Sequence, residues 1–343
     1  MTRPNASSLK ILESVRHPTD GATTVARGVM SANASEENPI HLTVAICTWN
    51  RADLLRRTLD QMRQLKPPGT ATWELVVVNN NCTDHTDIVL EEFRHLLPVR
   101  RVFESKPGLS NARNAAVVAA SGLFILWTDD DVLVAPEWLD SYAAAIRRHP
   151  DAAILGGPIE PLFDGAPPRW LERGFHAVEG AYAVRDPGRE ETAITISDLP
   201  FGANMAVRRE MQMRHRYDPA LGRAPGSMLG GEELHVLRSI LGDGGQGYWV
   251  PNASVRHFIP RSRQNLLYLW RYWRGNGLSA ARIAPSLGRF RIMGSPGWLW
   301  RDATTSPFRL LIGLVASPPD RWLGHMQTAA TSWGRLQGAW QRD

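Results

Sequence analysis

Lysine is almost missing from this chain: Lys10, Lys66 and Lys106 are the only three in 343 residues. The formal charge of +5 and the sequence pI of about 9.5 are therefore carried by arginine. Cysteine is as scarce, with Cys47 and Cys82 alone. Two cysteines build no disulfide framework, and a reducing compartment is the simplest setting. No stretch reaches the roughly 18 consecutive apolar residues that cross a bilayer. The first residues hold no apolar run of signal-peptide length, so the expected location is cytoplasmic. No internal repeat occurs.

Hydrophobic residues make up 43% of the chain, enough for a sizeable core. Residues 1–39 are rich in Ser, Thr, Ala, Asn and Gly without a sustained period, and are expected to be a disordered leader. From His41 the pattern changes. The β-branched runs 42–47 and 73–78 predict strands. Between them, residues 52–65 place Leu54, Leu55, Leu59, Met62 and Leu65 at helical spacing, with Asp53 in the first turn and Lys66-Pro-Pro-Gly as the stop. The alternation continues through helix 84–97, strand 99–105, helix 109–120, strand 123–128, helix 136–149 and strand 152–159. Near-continuous apolar strands between helices predict a parallel sheet covered on both faces. Beyond it the reading gives a loop and strand over 198–210, a helix over 230–245, a strand pair over 247–258 with a Pro-Asn turn, and a helix near 263–275.

Ligands of such sheets bind at the carboxyl ends of the strands, and the polar residues stand there. The first strand runs into Thr48, Asn50 and Arg51, the second into Asn79, Asn80, Asn81 and Asp84. The fourth runs into Asp129, Asp130 and Asp131. Packed carboxylates repel, and burying them unpaired is expensive. A hard divalent cation removes that repulsion and presents itself to a diphosphate; the plain alternative is a set of caps for the helix opening at Pro136. Glu232 and Glu233 begin a predicted helix, where the dipole favours carboxylates and where one could serve as a general base. Lys106, Arg113 and Asn114 surround another helix start, a setting suited to an anion. His257 follows a short strand and by itself signals little.

The order of "TVAICTWNRADLLRRTLDQM", "WELVVVNNNCTDHT", "KPGLSNARNAA", "LFILWTDDD", "FGANMAVRR", "GGEEL" and "VPNASVRH" resembles glycosyltransferase family 2. The resemblance covers about residues 42–275 and implies the α/β GT-A fold: a mostly parallel central sheet flanked by helices. The corresponding division is a leader (1–39), a GT-A domain (40–275) and an amphipathic, helical, basic and Trp-rich extension (276–343). The resemblance further implies a nucleotide-sugar donor near Thr48, Asn50, Arg51, Asn80, Lys106, Arg113, Asn114, Asp129 and Asp130. Gly202, Ala203 and Asn204 would line the sugar and acceptor side. Asp131, helped by Asp129 and with His257 close by, would hold a divalent cation, Mg2+ or Mn2+. Glu233 would be the base of an inverting displacement onto an acceptor hydroxyl of a glycan or lipid-linked saccharide. The chain departs from the family in two places. Asn79 and Asn80 stand where an Asp is common, which leaves the nucleotide base open, and the base is Glu where Asp is usual.

From Phe258 onward the chain has twelve Arg against three acids, and seven of its thirteen Trp. One segment carries Phe308, Leu311, Ile312 and Val315 on one face; another carries Trp322, Met326, Ala330, Trp333 and Trp340. Both could pack on the domain, or form an interfacial pair on an anionic membrane, placing the protein at the inner face of the cell membrane. The rival readings are a non-catalytic sugar- or nucleotide-binding module, a glycoside hydrolase and a nucleotidyltransferase. No nucleic-acid reading module is present, so no nucleic-acid partner is expected.

Overall fold

The computed structural model describes residues 41–69, 71–224, 229–283 and 290–340, so the expected leader lies outside the described residues. The first half alternates as its apolar runs predict: β1 (His41–Thr48), α1 (Ala52–Met62), β2 (Thr72–Asn79), α2 (Thr86–Phe93), β3 (Val99–Phe103), α3 (Leu109–Ala119) and β4 (Phe124–Asp129). A short β5 (Val132–Val134) leads to α4 (Trp138–Arg148), β6 (Ala152–Gly156), β7 (Ile159–Phe163) and α5 (Arg169–Gly174). Then come β8 (Met205–Arg208), α6 (Arg209–Arg214), α7 (Glu232–Gly242), β9 (Gln246–Trp249) and β10 (Val255–Ile259). The chain closes with α8 (Leu266–Ile283), the small hairpin β11 (Arg291–Ile292) and β12 (Ser295–Pro296), α9 (Gly297–Ala316) and α10 (Pro319–Trp340).

Seven strands form the main sheet in the order β3-β2-β1-β4-β8-β6-β9, parallel except for β8, which runs antiparallel to both neighbours. The inner stretches of β1, β2 and β4 are apolar on both faces because successive side chains face opposite layers and both layers are covered. Leu42, Val44 and Ile46 pack under α1, whose Leu55, Leu59 and Met62 share that core. Ala45, Ile125 and Trp127 pack on the other side with α3 and α7, through Ala116, Val236 and Leu237.

Two strand expectations are corrected. Residues 152–159 are not one strand: the chain breaks at Gly157-Pro158, leaving β6 in the main sheet and sending β7 to a second sheet. Residues 247–258 are not a hairpin: β9 pairs with β6, while β10 lies between β5 and β7 in the three-stranded sheet. That second sheet matters for the site. It pairs His257 with Val132, directly after the aspartates.

α8 runs unbroken through residue 275 and packs along α10. The two backbones touch closely at Gly334, where a Cβ would lie 2.1 Å from the Arg274 carbonyl oxygen. Trp322, Leu323, Met326 and Ala330 of α10 are buried as core with Leu171, Tyr182, Leu269 and Trp273, while Trp333 and Trp340 of the same stripe are 44 and 42% exposed. Among the described residues no helix is long and apolar enough to cross a membrane.

Candidate active site

The three aspartates at the end of β4 meet three different environments. Asp130 turns inward: it accepts from Thr48 Oγ1 at 2.8 Å, pairs with Arg51, and its carbonyl accepts from Thr58 Oγ1 at 2.9 Å. Burial pushes its carboxyl up to about 7, with Asp131 and Asp129 adding to the rise while Arg51 and Thr48 oppose it. Asp131 is equally buried, but Arg51 reaches its Oδ2, Arg263 Nη1 lies 3.3 Å from the same oxygen, and His257 Nε2 lies 3.4 Å from Oδ1. Burial acts upward on Asp131 too; here the cations prevail and hold it well below the usual carboxylate range. Asp129 is half-buried, and among the described residues its side chain has no hydrogen-bond or ion-pair partner.

The donor set suits a hard divalent cation. His257 Nδ1 lies 2.6 Å from the Tyr182 carbonyl, which fixes Nδ1 as the donor. In the neutral ring Nε2 then turns a lone pair toward Asp131 Oδ1, and that contact calls for a proton or a cation. Asp129 adds a second carboxylate. Among the described residues no three acidic, imidazole or thiol groups stand close enough to form a finished cluster; Arg51 and Arg263 supply the positive charge at Asp131.

Glu232 and Glu233 open α7. Glu232 Oε1 is 2.9 Å from Arg113 Nη1, and Glu233 Oε2 is 3.5 Å from the same nitrogen. Arg113 is buried against the rings of Trp127 and Tyr217, which meet edge to face. The two carboxyls split in acidity. Burial raises Glu232 to about 8, with the Glu233 charge adding to it. Glu233 is lowered: burial works upward, but Arg113, its own backbone amide, Glu232 and Arg223 outweigh it. At neutral pH the pair therefore holds one proton, on Glu232, and Glu233 is the anion.

Glu233 faces a cavity of about 320 Å³ together with Arg113, Asp129, Asp131, Gly202 and His257. A second cavity of about 930 Å³ runs from Thr48, Trp49 and Asn80 to α8 and α10. Both are lined by Asp129, Arg51, Arg223, Arg263 and Tyr268, so they share a wall. Arg271 and Arg274 of α8 make the larger one more basic. Cys47 lines it too, and burial pushes its thiol up to about 12.

Thr48, Arg51, Asn80, Arg113, Asp129, Asp130, Asp131, Gly202, Ala203, Glu233 and His257 are thus brought together around the two cavities. Gly202 is needed there, because a Cβ would lie 2.3 Å from Arg113 Nη2. Four expected residues stand elsewhere. Asn204 is fully buried, and its amide is used up by Trp138 Nε1, Tyr142 OH and the carbonyls of Pro158 and Ala253. Asn114 is bound through both amide atoms to the Tyr217 backbone. Asn50 accepts from the Thr83 amide at 2.7 Å and so pins one loop to the next. Lys106 is exposed and lines neither cavity; its carbonyl accepts from Asn80. Asn79, where an acidic residue is usual, is tied to Asp87 and the Cys82 amide away from both cavities. The lining residues missed in the sequence are Tyr182, Arg223, Arg263, Tyr268, Arg271 and Arg274. The three-residue spacing of Tyr268, Arg271 and Arg274 was their one visible signal.

Residues 43–211 match the family described as glycosyl transferase family 2. Over 235 residues the chain is 26% identical to the succinoglycan biosynthesis protein ExoM of Rhizobium meliloti (strain 1021), spanning 67% of this chain and 71% of that one. Over 168 residues it is 33% identical to the validoxylamine A glucosyltransferase of Streptomyces hygroscopicus subsp. jinggangensis (strain 5008), covering 48% of this chain and 37% of that one. Among solved structures it is similar to the mannosyltransferase PcManGT from Pyrobaculum calidifontis in complex with GDP-Man and Mn2+, with a TM-score of 0.56 and 17% identity over 89% of each chain. S. aureus TarS 1-349 in complex with UDP-GlcNAc gives a TM-score of 0.51 and 14% identity, covering 88% of this chain and 92% of that one. These two likenesses establish the fold, which is the GT-A fold expected.

Proposed function

Because the chain belongs to glycosyltransferase family 2, we propose that it transfers a sugar from a nucleotide-diphosphate sugar to an acceptor hydroxyl, with inversion. The observation that carries this reading is the wall shared by the two cavities. It separates a basic chamber of about 930 Å³ from a smaller one lined by an anionic carboxylate. The donor's nucleotide occupies the larger chamber, its sugar reaches the wall at Asp129, and the acceptor enters beside Glu233. The names of ExoM, a succinoglycan biosynthesis protein, and TarS, solved with UDP-GlcNAc, support a saccharide acceptor and a nucleotide-sugar donor.

Glu233 takes the acceptor's proton, and the freed oxygen attacks the anomeric carbon from the face opposite the diphosphate. Glu232 keeps its own proton and, with Arg113, holds Glu233 in place. Arg223, Arg263, Arg271 and Arg274 meet the charge that grows on the departing diphosphate. Asp129, Asp131 and His257 would hold a divalent cation, Mg2+ or Mn2+, which when bound supplies further positive charge to that leaving group. The PcManGT structure, solved with Mn2+, supports a divalent cation. An acceptor on a lipid carrier would bring the protein to a membrane.

The test is nucleoside diphosphate release from a panel of UDP-, GDP- and dTDP-sugars with saccharide acceptors. Release that depends on acceptor and falls by about 10²–10⁴-fold in Glu233→Gln supports the proposal. Pyrophosphate release from a nucleoside triphosphate and a sugar phosphate would support a nucleotidyltransferase instead.

A further inference from the structure

α9 is the outermost of the C-terminal helices. It packs on α10 and on the β11-β12 hairpin, burying Leu299, Ala303, Ser306 and Gly313. At helical spacing, the face opposite those residues holds Phe308, Leu311, Ile312 and Val315. They are 70, 64, 68 and 92% exposed. An ordinary surface helix turns its apolar stripe inward; this one carries a second apolar stripe on the outside. Four large apolar side chains in neighbouring turns of one helix form a contiguous patch of the kind that marks an interaction surface.

The charges beside the stripe identify its partner. Arg301 lies two turns before Phe308, Arg309 follows it, and Arg321 begins α10; all three are exposed. Trp298, 38% exposed, stands at the start of the same helix. The whole region from Phe258 carries twelve Arg against three acids. A second copy of this chain would set those arginines against their own equivalents. An anionic headgroup layer meets them with opposite charge while accepting the apolar stripe beneath. α9 fails the requirement for crossing a bilayer, so it would lie in the plane of the surface.

We propose that α9 is an interfacial anchor that seats this protein on an anionic phospholipid membrane, with Phe308, Leu311, Ile312 and Val315 entering the acyl boundary and Arg301, Arg309 and Arg321 contacting headgroups. Trp322, Leu323, Met326 and Ala330 of α10 are not part of the anchor, since they are core. No residue of α9 lines either cavity, so the anchor stands or falls independently of the transferase chemistry.

The experiment is vesicle flotation of the full chain, with phosphatidylcholine alone and with phosphatidylcholine–phosphatidylglycerol mixtures, and sedimentation velocity without lipid. The expected result is flotation with the anionic vesicles that weakens as salt is raised. Phe308→Ser with Ile312→Ser lowers the partition coefficient by about tenfold or more per side chain. Arg309→Gln with Arg321→Gln lowers it by about fivefold per arginine on anionic vesicles only. All variants should keep the parent's far-ultraviolet circular dichroism and unfolding midpoint, which shows that they are folded. A parent chain that stays with the unbound fraction overturns the proposal, as do variants that float equally well. A parent that self-associates and becomes monomeric in Phe308→Ser/Ile312→Ser also overturns it, assigning the face to a second copy.

Discussion

Arg113 Nη1 and Glu232 Oε1 lie 2.9 Å apart in the interior, both side chains almost fully buried. The contact joins α3 to the first turn of α7 and so sets where Glu233 points. Removing one partner of a buried pair is worse than removing both, because the survivor is left unpaired in a poorly solvating interior. Arg113 is also the main cation beside the anionic Glu233, so Arg113→Leu should lower stability by about 3–5 kcal/mol, and Arg113→Leu/Glu233→Gln should recover much of the loss. Urea unfolding of both variants checks this; a double variant no better than the single would show that the pair is not the stabilising unit.

The unequal acidity of the glutamates predicts two pH effects. Glu233 is lowered, so the base is already anionic at neutral pH, and turnover should fall only as pH drops below the ordinary carboxylate value of 4.5. Glu232 is raised to about 8, so the folded state retains a proton that the unfolded chain releases above 4.5. Its contribution to stability is fully present below 4.5 and is lost as pH rises through about 8. Glu232→Gln removes that loss. Its unfolding midpoint should gain on the parent's as pH rises from 5 to 8, an interval within those two values. A constant difference across the series would contradict the assignment.

Arg271 and Arg274 line the larger cavity from α8. Arg271→Ala/Arg274→Ala should weaken nucleoside diphosphate binding by about tenfold or more and leave the free nucleoside unaffected, since charge-assisted hydrogen bonds to phosphate are the stronger kind. Competition titration with the diphosphate and the nucleoside separates the two. An equal loss for both would mean that the helix has moved rather than lost a contact.

Asn204 tests the correction to the site. Asn204→Leu leaves Trp138 Nε1, Tyr142 OH and two carbonyls without their partner. Each such orphan costs about 1–3 kcal/mol, so the variant should be strongly destabilised. Asn204→Asp keeps the acceptor side but sets a buried carboxyl oxygen against the Pro158 and Ala253 carbonyls, so it should be destabilised as well, and more so as rising pH ionises it. Differential scanning calorimetry ranks them. A parent-like Asn204→Leu whose donor binding alone is impaired would return Asn204 to the sugar side.

Much of the architecture was legible because β1, β2 and β4 are apolar on both faces and α1 shows a clean stripe in Leu55, Leu59 and Met62. Their polar ends pointed to the site for the same reason. Short strands were harder. Nothing local distinguishes β6 and β7 as members of different sheets; the break at Gly157-Pro158 does that only once β10 lies between β5 and β7. The site residues divide along a similar line. Asp131 and Glu233 sit at element ends, where sequence patterns speak clearly, whereas His257 lies inside β10 and signals little by itself. Asn204 and Asn114 look the same in sequence as an asparagine that meets a ligand. Only the identity of their hydrogen-bond partners separates the two cases, and those partners are distant in the chain. The amphipathic tail gave two equal stripes, and packing decided between them: α10 found Trp273 and Leu171, while α9 has its outer stripe facing solvent.

The most direct test of the central claim is calorimetric titration of UDP, GDP and dTDP into the parent chain and Asp131→Ala, each with Mn2+ and with EDTA. The account predicts that one nucleotide binds the parent with Mn2+, and that EDTA and Asp131→Ala each weaken it. A folded chain that binds none of them, or binds one equally well in all four conditions, would contradict it.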